Sequence, residues 1–358
     1  MLKNIAHAKE LSKKFKIPVE DILLIALNCS GINTNLPFKR IRFRLRLNSI
    51  PSEEFYLGLP VHSDSPFYLS QEKSQLFFNN NLIGFVNEVE NDTCDSTYFR
   101  RNKTYLTLNS NSRSKCYGCK FCGVINQDPN DEYNLITKSR LINFLKKFLK
   151  SNNLKDFSHL VGVGICTGCF ENEEKTLEHI LLVRKVMRKF KFDKELIYIG
   201  SQITSRSSLD IIKENATPFS LSLALECFMR RKELLKSIKS KITLRMGRKI
   251  LKESIERGFY STIFYIIGLD SLEVVIKEFE KFLPYMNRFP VINLFQPYTS
   301  YQKNLRDPDA WSIEYYLEIR KKLEELFLPT SLRPRPWENY RPLWYLTFGN
   351  ERINDIRI

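Results

Sequence analysis

Glycine and proline are sparse, 13 and 15 residues in a chain of 358, which excludes collagen-like repeats and low-complexity linkers. No apolar run approaches the roughly 18 to 20 residues that a membrane helix requires. The opening stretch MLKNIAHAKELSKKF also has no continuous apolar segment of the signal-peptide kind. A cytoplasmic protein with no membrane partner is the expectation. Histidine is scarce too, and His62, His159 and His179 show no ligand spacing, so structural roles are expected for them.

Against these absences, 43% of the residues are hydrophobic and 27% charged, enough to bury a sizeable core in one large domain or one plus a small neighbour. Lys and Arg outnumber Asp and Glu by 56 to 40. The excess admits an anionic partner such as nucleic acid, an acidic peptide or a phosphorylated small molecule, but a generally basic solvated surface is the plainer reading.

Residues 1–100 read as a small α+β region. An amphipathic helix over Ile5 to Leu27 is interrupted near Pro18, and FKRIRFRLRLN (Phe38 to Asn48) alternates apolar and basic residues as a half-exposed strand does. That pattern predicts an edge strand with a charged solvent face. Short strands are predicted at Phe55 to Leu59, Phe67 to Leu69 and Leu82 to Val89, with a boundary in Asn91 to Arg101.

From Thr104 a short apolar run followed by an amphipathic helix recurs six times. The runs are 104–108, 159–165, 195–200, 219–226, 262–268 and 290–297, and the helices begin near Thr137, Glu173, Ser207, Arg245, Leu272 and Ser312. The second helix shows the pattern well. Leu177, Ile180, Val183, Met187 and Phe190 form one face, while Glu173 and Glu174 open the helix and Arg188 and Lys189 close it. Repeated strand–helix units predict parallel strands, closed either as an open doubly wound sheet or as a full or partial barrel. In both, the loops after the strands carry the chemistry.

Cysteine is distributed unevenly. Cys29, Cys94 and Cys227 stand apart, whereas Cys116, Cys119 and Cys122 follow the first of these strands and Cys166 and Cys169 follow the second. Three close thiolates supply too few ligands for a closed tetrahedral zinc site. In a 4Fe-4S cubane they leave one iron open. A zinc site completed by Cys166 or Cys169 is the alternative.

With Cys119-Lys120-Phe121-Cys122 after the first strand, the chain resembles the radical S-adenosylmethionine (radical SAM) superfamily, particularly its biotin-synthase-like members. The family motif ends in C-x-aromatic-C. Its first gap is usually three residues, whereas Cys116 and Cys119 enclose two. The segment GICTGCF (164–170) resembles the family's glycine-rich segment through Thr167 and Gly168, with Cys169 where many members have Glu. Glu226 ends the fourth strand, Arg245 follows at the distance of the family's carboxylate-pairing Arg, and Ile266 and Gly268 resemble its I-x-G-x-x-E signature, with Glu273 two positions late.

The resemblance covers about 103–328 and implies an α/β fold, a partial (β/α)6 TIM-like barrel over 101–330. A small N-terminal α+β accessory region (1–100) would precede it and a C-terminal cap (331–358) would follow. It implies that Cys116, Cys119 and Cys122 bind a 4Fe-4S cluster, and that Phe121, Thr167, Gly168, Glu226, Arg245 and Gly268 contact S-adenosylmethionine. Reductive cleavage of that cofactor would form a 5′-deoxyadenosyl radical, which takes hydrogen from a small-molecule biosynthetic substrate. The partner would be an external electron donor of the flavodoxin or ferredoxin type. An auxiliary iron–sulfur cluster on Cys166, Cys169 and Cys227 stays open, as does no second cluster at all. Modification of a peptide or RNA is the second reading, and a non-catalytic zinc protein that binds nucleic acid is the third. No catalytic side chain is assigned.

Overall fold

The computed structural model describes all residues except 71, 73, 94–96, 102, 112–115, 117, 124–133, 336–340 and 354–358. Cys94 and the middle of the C-terminal segment therefore lie outside the described residues. No helix among the described residues is long and apolar enough to cross a membrane.

The N-terminal helical stretch divides in two. Asn4 caps α1 (Ile5–Phe15) by accepting from the His7 amide at 2.8 Å, and Lys16 ends it in the left-handed region at φ 56°. After Pro18, α2 (Val19–Ser30) is buried over most of its length. Five antiparallel strands follow: β1 (Arg40–Leu47), β2 (Phe55–Pro60), β3 (Phe67–Leu69), β4 (Gln75–Phe78) and β5 (Asn81–Asn91), in the spatial order β2-β1-β5-β4-β3.

This order corrects one expectation. The basic strand β1 is not at an edge; it lies between β2 and β5. Arg44 and Arg46 do pair with the outward carboxylates of Glu54 and Glu88. Arg40 and Arg42, however, are only 1% and 3% exposed. Their burial is possible because buried Asp92 accepts from both, at 2.5 Å and 2.8 Å.

The second sheet begins with β6 (Tyr98–Arg100), antiparallel to β7 (Tyr105–Leu108), and continues in parallel through β8 (Gly162–Ile165), β9 (Glu195–Gly200), β10 (Phe219–Glu226), β11 (Tyr260–Ile267) and β12 (Val291–Leu294). The crossovers are α3 (Lys138–Ser151), α4 (Glu173–Lys189) and α5 (Arg206–Asn215), then α6 (Arg231–Leu234), α7 (Ser237–Ser240) and α8 (Leu244–Glu256), and α9 (Leu272–Phe282). Spatial order follows chain order from β6 to β12 without reversal. A doubly wound sheet must reverse direction at a switch point, so the barrel-type closure is the one realised. The sheet curls through 225° into a half-barrel.

On β10, Leu221, Leu223 and Leu225 are fully buried, with Leu223 and Leu225 under Gly247 of α8, while Ser222 and Ala224 face the interior. Gly164 of β8 also faces inward. Small side chains on that face leave space where a full barrel packs layers of branched residues.

After β12 come α10 (Ser300–Lys303) and α11 (Ile313–Phe327), then a hairpin of β13 (Thr347–Phe348) and β14 (Glu351–Arg352). Asp21 of α2 joins these parts. It accepts from Arg320 of α11 at 2.7 Å and from the Tyr345 and Leu346 amides, each at 2.9 Å. Residues 343–346 and Phe348 are core, with Trp344 edge-on to Phe289.

Candidate active site

Strand β1 also closes the open seam of the half-barrel. The Arg42 guanidinium lies 4.0 Å from the ring centroid of Tyr98 on β6, one edge of the curled sheet. Arg40 donates to Gln296 Oε1 and to the Tyr298 hydroxyl, each at 2.8 Å, just beyond β12 at the other edge. The space behind it is a cavity of about 260 Å³.

The cysteine loop enters at the C-terminal ends of the strands and is pinned from several sides. The Lys120 amide donates to Leu234 O at 2.9 Å, and Gln302 Nε2 donates to Lys120 O and Cys122 O at 3.0 Å and 3.3 Å. Gly118 has φ +114°, and a Cβ there would stand 2.8 Å from Lys236 Cβ. At Gly123 a Cβ would fall 2.1 Å from the Tyr298 ring. Cys119 and Phe121 pack in an apolar cluster with Cys227, Leu234 and Phe295, and Cys122 packs against it.

The second loop is tied to the first strand's end. Asn111 Nδ2 donates to Gly168 O at 3.2 Å, and Gln202 exchanges hydrogen bonds of 2.7 Å and 2.8 Å with the Phe170 backbone. Beneath it, buried His179 pairs with Ser110 Oγ at 2.6 Å. Burial pushes its pKa down to about 4.

The fourth strand ends in a bulge that sets Glu226 at φ 67°. Its carboxylate takes Lys239 Nζ at 2.7 Å and 2.8 Å. Burial alone would lower the Lys239 ammonium, but Glu226, with Cys169 and Cys119, holds it well above the ordinary range. The thiols differ among themselves. Interaction with Cys169, opposed by burial and aided by Lys236 and Lys239, holds Cys116 below the ordinary thiol range, and Lys236 Nζ is 3.2 Å from its sulfur. Burial, then Glu226, pushes Cys119 up to about 11.

Cys116, Cys119, Phe121 and Cys122 thus share one cavity mouth with Thr167, Gly168 and Glu226. Among the described residues, no three His, Cys, Asp or Glu side chains surround a single metal-ion position. Arg245 is exposed on the first turn of α8 and does not line the cavity. Gly268, at φ +112°, packs against Phe295 and Tyr316 and is likewise outside the lining, whereas Ile266 is in it. Cys166 and Cys169 line the cavity; Cys227 is buried beside it. Sequence reasoning missed Lys236, Lys239, Tyr298 and the arginines of the cavity wall. Of these only Arg40 and Arg42 left a signal, in the alternation of RIRFRLRL.

No family model matches the chain, and no curated protein matches it by sequence. Solved structures are similar to it, among them three radical S-adenosylmethionine proteins or complexes. One is a radical S-adenosylmethionine methyltransferase, TsrM from Kitasatospora setae, with cobalamin and a 4Fe-4S cluster bound: 11% identity, 53% of this chain and 36% of that one, TM-score 0.35. Another is SuiB from Streptococcus suis bound to S-adenosylmethionine: 15% identity, 71% and 56%, TM-score 0.42. The third is a radical SAM methyltransferase from Sphaerobacter thermophilus: 12% identity, 96% and 95%, TM-score 0.44. The match thus spans about a third of the first protein and just over half of the second. Likenesses this distant decide nothing about chemistry, which rests on the geometry of the cavity.

Proposed function

We propose that the chain is a radical SAM enzyme acting on a small molecule. Cys116, Cys119 and Cys122 would hold a 4Fe-4S cluster, and S-adenosylmethionine would sit among Phe121, the Thr167–Gly168 turn and Glu226. Hydrogen would be taken from an unactivated position of a substrate inside the half-barrel. The observation that carries this reading is convergence: residues from the loops after β7 and β8 and from the end of β10 share one cavity mouth.

The donor chemistry fits, since thiolates are the soft ligands that iron–sulfur clusters take. Such a cluster, when bound, supplies one electron to the sulfonium of S-adenosylmethionine. The chain's own residues do the positioning. Lys236 Nζ lies 3.2 Å from the Cys116 sulfur, where its charge favours a thiolate. Gly168 leaves backbone accessible at the lip, while Glu226, backed by Lys239, offers a carboxylate to an ammonium or hydroxyl group. Arg40 and Arg42 close the seam against water. Arg245 and Gly268 lie outside the lining and receive no contact in this reading. The electron would come from a flavodoxin- or ferredoxin-type donor.

A second reading is a zinc site with Cys169, which lines the same cavity as the three thiols, as fourth thiolate. Anaerobic purification followed by iron, sulfide and zinc analysis separates the two. About four irons per chain, lost in Cys119→Ser and Cys122→Ser, support the cluster; stoichiometric zinc without iron refutes it. With the cluster loaded, S-adenosylmethionine and a reductant should release 5′-deoxyadenosine, with substrate present if required.

A further inference from the structure

Apolar side chains from four adjacent strands form one wall of the cavity: Ile197 and Ile199 of β9, Ala224 of β10, Phe264 and Ile266 of β11, and Val291 of β12. On each strand they stand two residues apart or alone, the period of a single sheet face. The charged groups around this wall find counter-charges within the protein. Asp92 accepts from Arg40 and Arg42, Glu195 from Arg288, and Glu226 from Lys239. A charged guest would have to compete with those pairs or carry its charge into apolar surroundings that penalise it.

Asn293 interrupts the apolar wall. It is the third residue of β12, level with Ile266 on β11, and it lines the cavity while only 4% exposed. Its amide can point only one way. The Arg341 backbone N–H donates to Oδ1 at 3.1 Å; an NH₂ group cannot accept there, so Nδ2 is directed elsewhere with its two N–H donors. No described residue accepts from Nδ2. The Ser201 hydroxyl, just after β9, is a second such group. Ser201 lines the same cavity, is 2% exposed, and its Oγ has no partner among the described residues. Polar groups this deeply buried are rarely left unpaired.

We propose that the guest of this cavity is an uncharged molecule with an apolar carbon skeleton and a carbonyl oxygen, and that Asn293 Nδ2 receives the carbonyl. The skeleton packs on the wall of β9 to β12, and the Ser201 hydroxyl serves a second polar atom. That this guest is the substrate rests on the radical SAM reading; that it binds does not. Apolar area supplies affinity here and a few fixed polar groups supply orientation, the usual division in ligand cavities. Asn293 is then the specificity-determining residue, because a guest without an acceptor leaves Nδ2 buried and unpaired. A cavity of about 260 Å³ suits a compact molecule.

The test uses the full chain purified without cluster, so that its outcome is independent of iron. Cyclohexanone carrying carbon-13 at its carbonyl is the probe, and cyclohexanecarboxylate is its charged counterpart. The expectation is one saturable site per chain for cyclohexanone, with the carboxylate bound at least about tenfold more weakly. Asn293→Asp keeps an acceptor for the Arg341 amide but replaces the Nδ2 donor by oxygen, and should weaken cyclohexanone about tenfold. The surface control Lys146→Gln should change nothing. Wild type carries its own readout should Asn293→Asp fold poorly. A bound carbonyl that keeps a donor holds the low-field carbon resonance it has in water, whereas a pocket without one moves it upfield towards its position in hexane. An upfield shift, equal or tighter binding of the carboxylate, unchanged binding in folded Asn293→Asp, or no saturable site overturns the proposal. Iron and 5′-deoxyadenosine measurements judge the cluster separately.

Discussion

Replacing Asp21 by Ala tests how the N-terminal region is joined to the half-barrel. Asp21 is fully buried, and its two oxygens receive the Arg320 guanidinium at 2.7 Å and two backbone amides at 2.9 Å. The truncation removes one of the two carboxylates on the buried Arg320 guanidinium, whose Nε still donates to Glu324 at 2.9 Å, so the cost is at most the about 3–5 kcal/mol of a fully broken buried pair; it also removes the acceptor of the Tyr345 and Leu346 amides. Arg320 keeps Leu343 O and Thr347 O as acceptors at 3.0 Å and 2.6 Å, which places the expected loss towards the lower figure. Urea unfolding followed by circular dichroism measures the global cost. Hydrogen exchange in a peptide spanning 343–348 measures the local one and should accelerate by on the order of a hundredfold. The double variant Asp21→Ala/Arg320→Met should be less damaged than the sum of its parts by about 1–3 kcal/mol. A loss below about 1 kcal/mol with unchanged exchange at 343–348 would refute the clamp.

His179 makes stability depend on pH. Its folded pKa of about 4 lies below its ordinary 6.5, so the unfolded chain binds the extra proton between those values. The contribution is complete above pH 6.5 and falls on acidification, by about 1.4 kcal/mol at pH 5.5; a His179→Gln variant whose unfolding midpoint keeps the full acid slope would count against this. Gly123→Ala should force the Tyr298 ring aside and disturb its bond to Arg40. The expected loss is about 1–3 kcal/mol together with reduced iron uptake on reconstitution, and an unchanged melting temperature would contradict that packing. Lys239→Met leaves the Glu226 carboxylate buried and unpaired, so it should destabilise by about 3–5 kcal/mol, while Lys239→Met/Glu226→Gln recovers part of that in thermal melts.

Local pattern carried much of the fold. The strands ELIYIG and FSLSLALE have the predicted bounds, because apolar runs that short between helices have few other ways to be buried. Strand β4 escaped notice because QLFF lies between polar clusters and is specified only by its partners β3 and β5. Strand β6 spans three residues and exists through its pairing with β7. The cysteine loop and GICTGCF stood out because thiols are scarce and clustered. Lys239 could not be read, since its pairing with Glu226 depends on how α7 folds back over β10, and KSIKSK by itself has the look of a solvated turn. Arg40 and Arg42 were misplaced for a related reason: alternation reports that one side of a strand is polar, not whether another sheet waits opposite to cover it.

Because β1 belongs to the antiparallel sheet and also forms a wall of the cavity, part of what lines the cavity lies in a different stretch of the chain from the thiols that would perform the reaction. Mutations in residues 40–92 can reshape the guest's berth while the loops at 116–123 and 166–169 stay untouched. Grafting a different antiparallel sheet onto this half-barrel is thus a rational route to new selectivity, provided the replacement still reaches both rims.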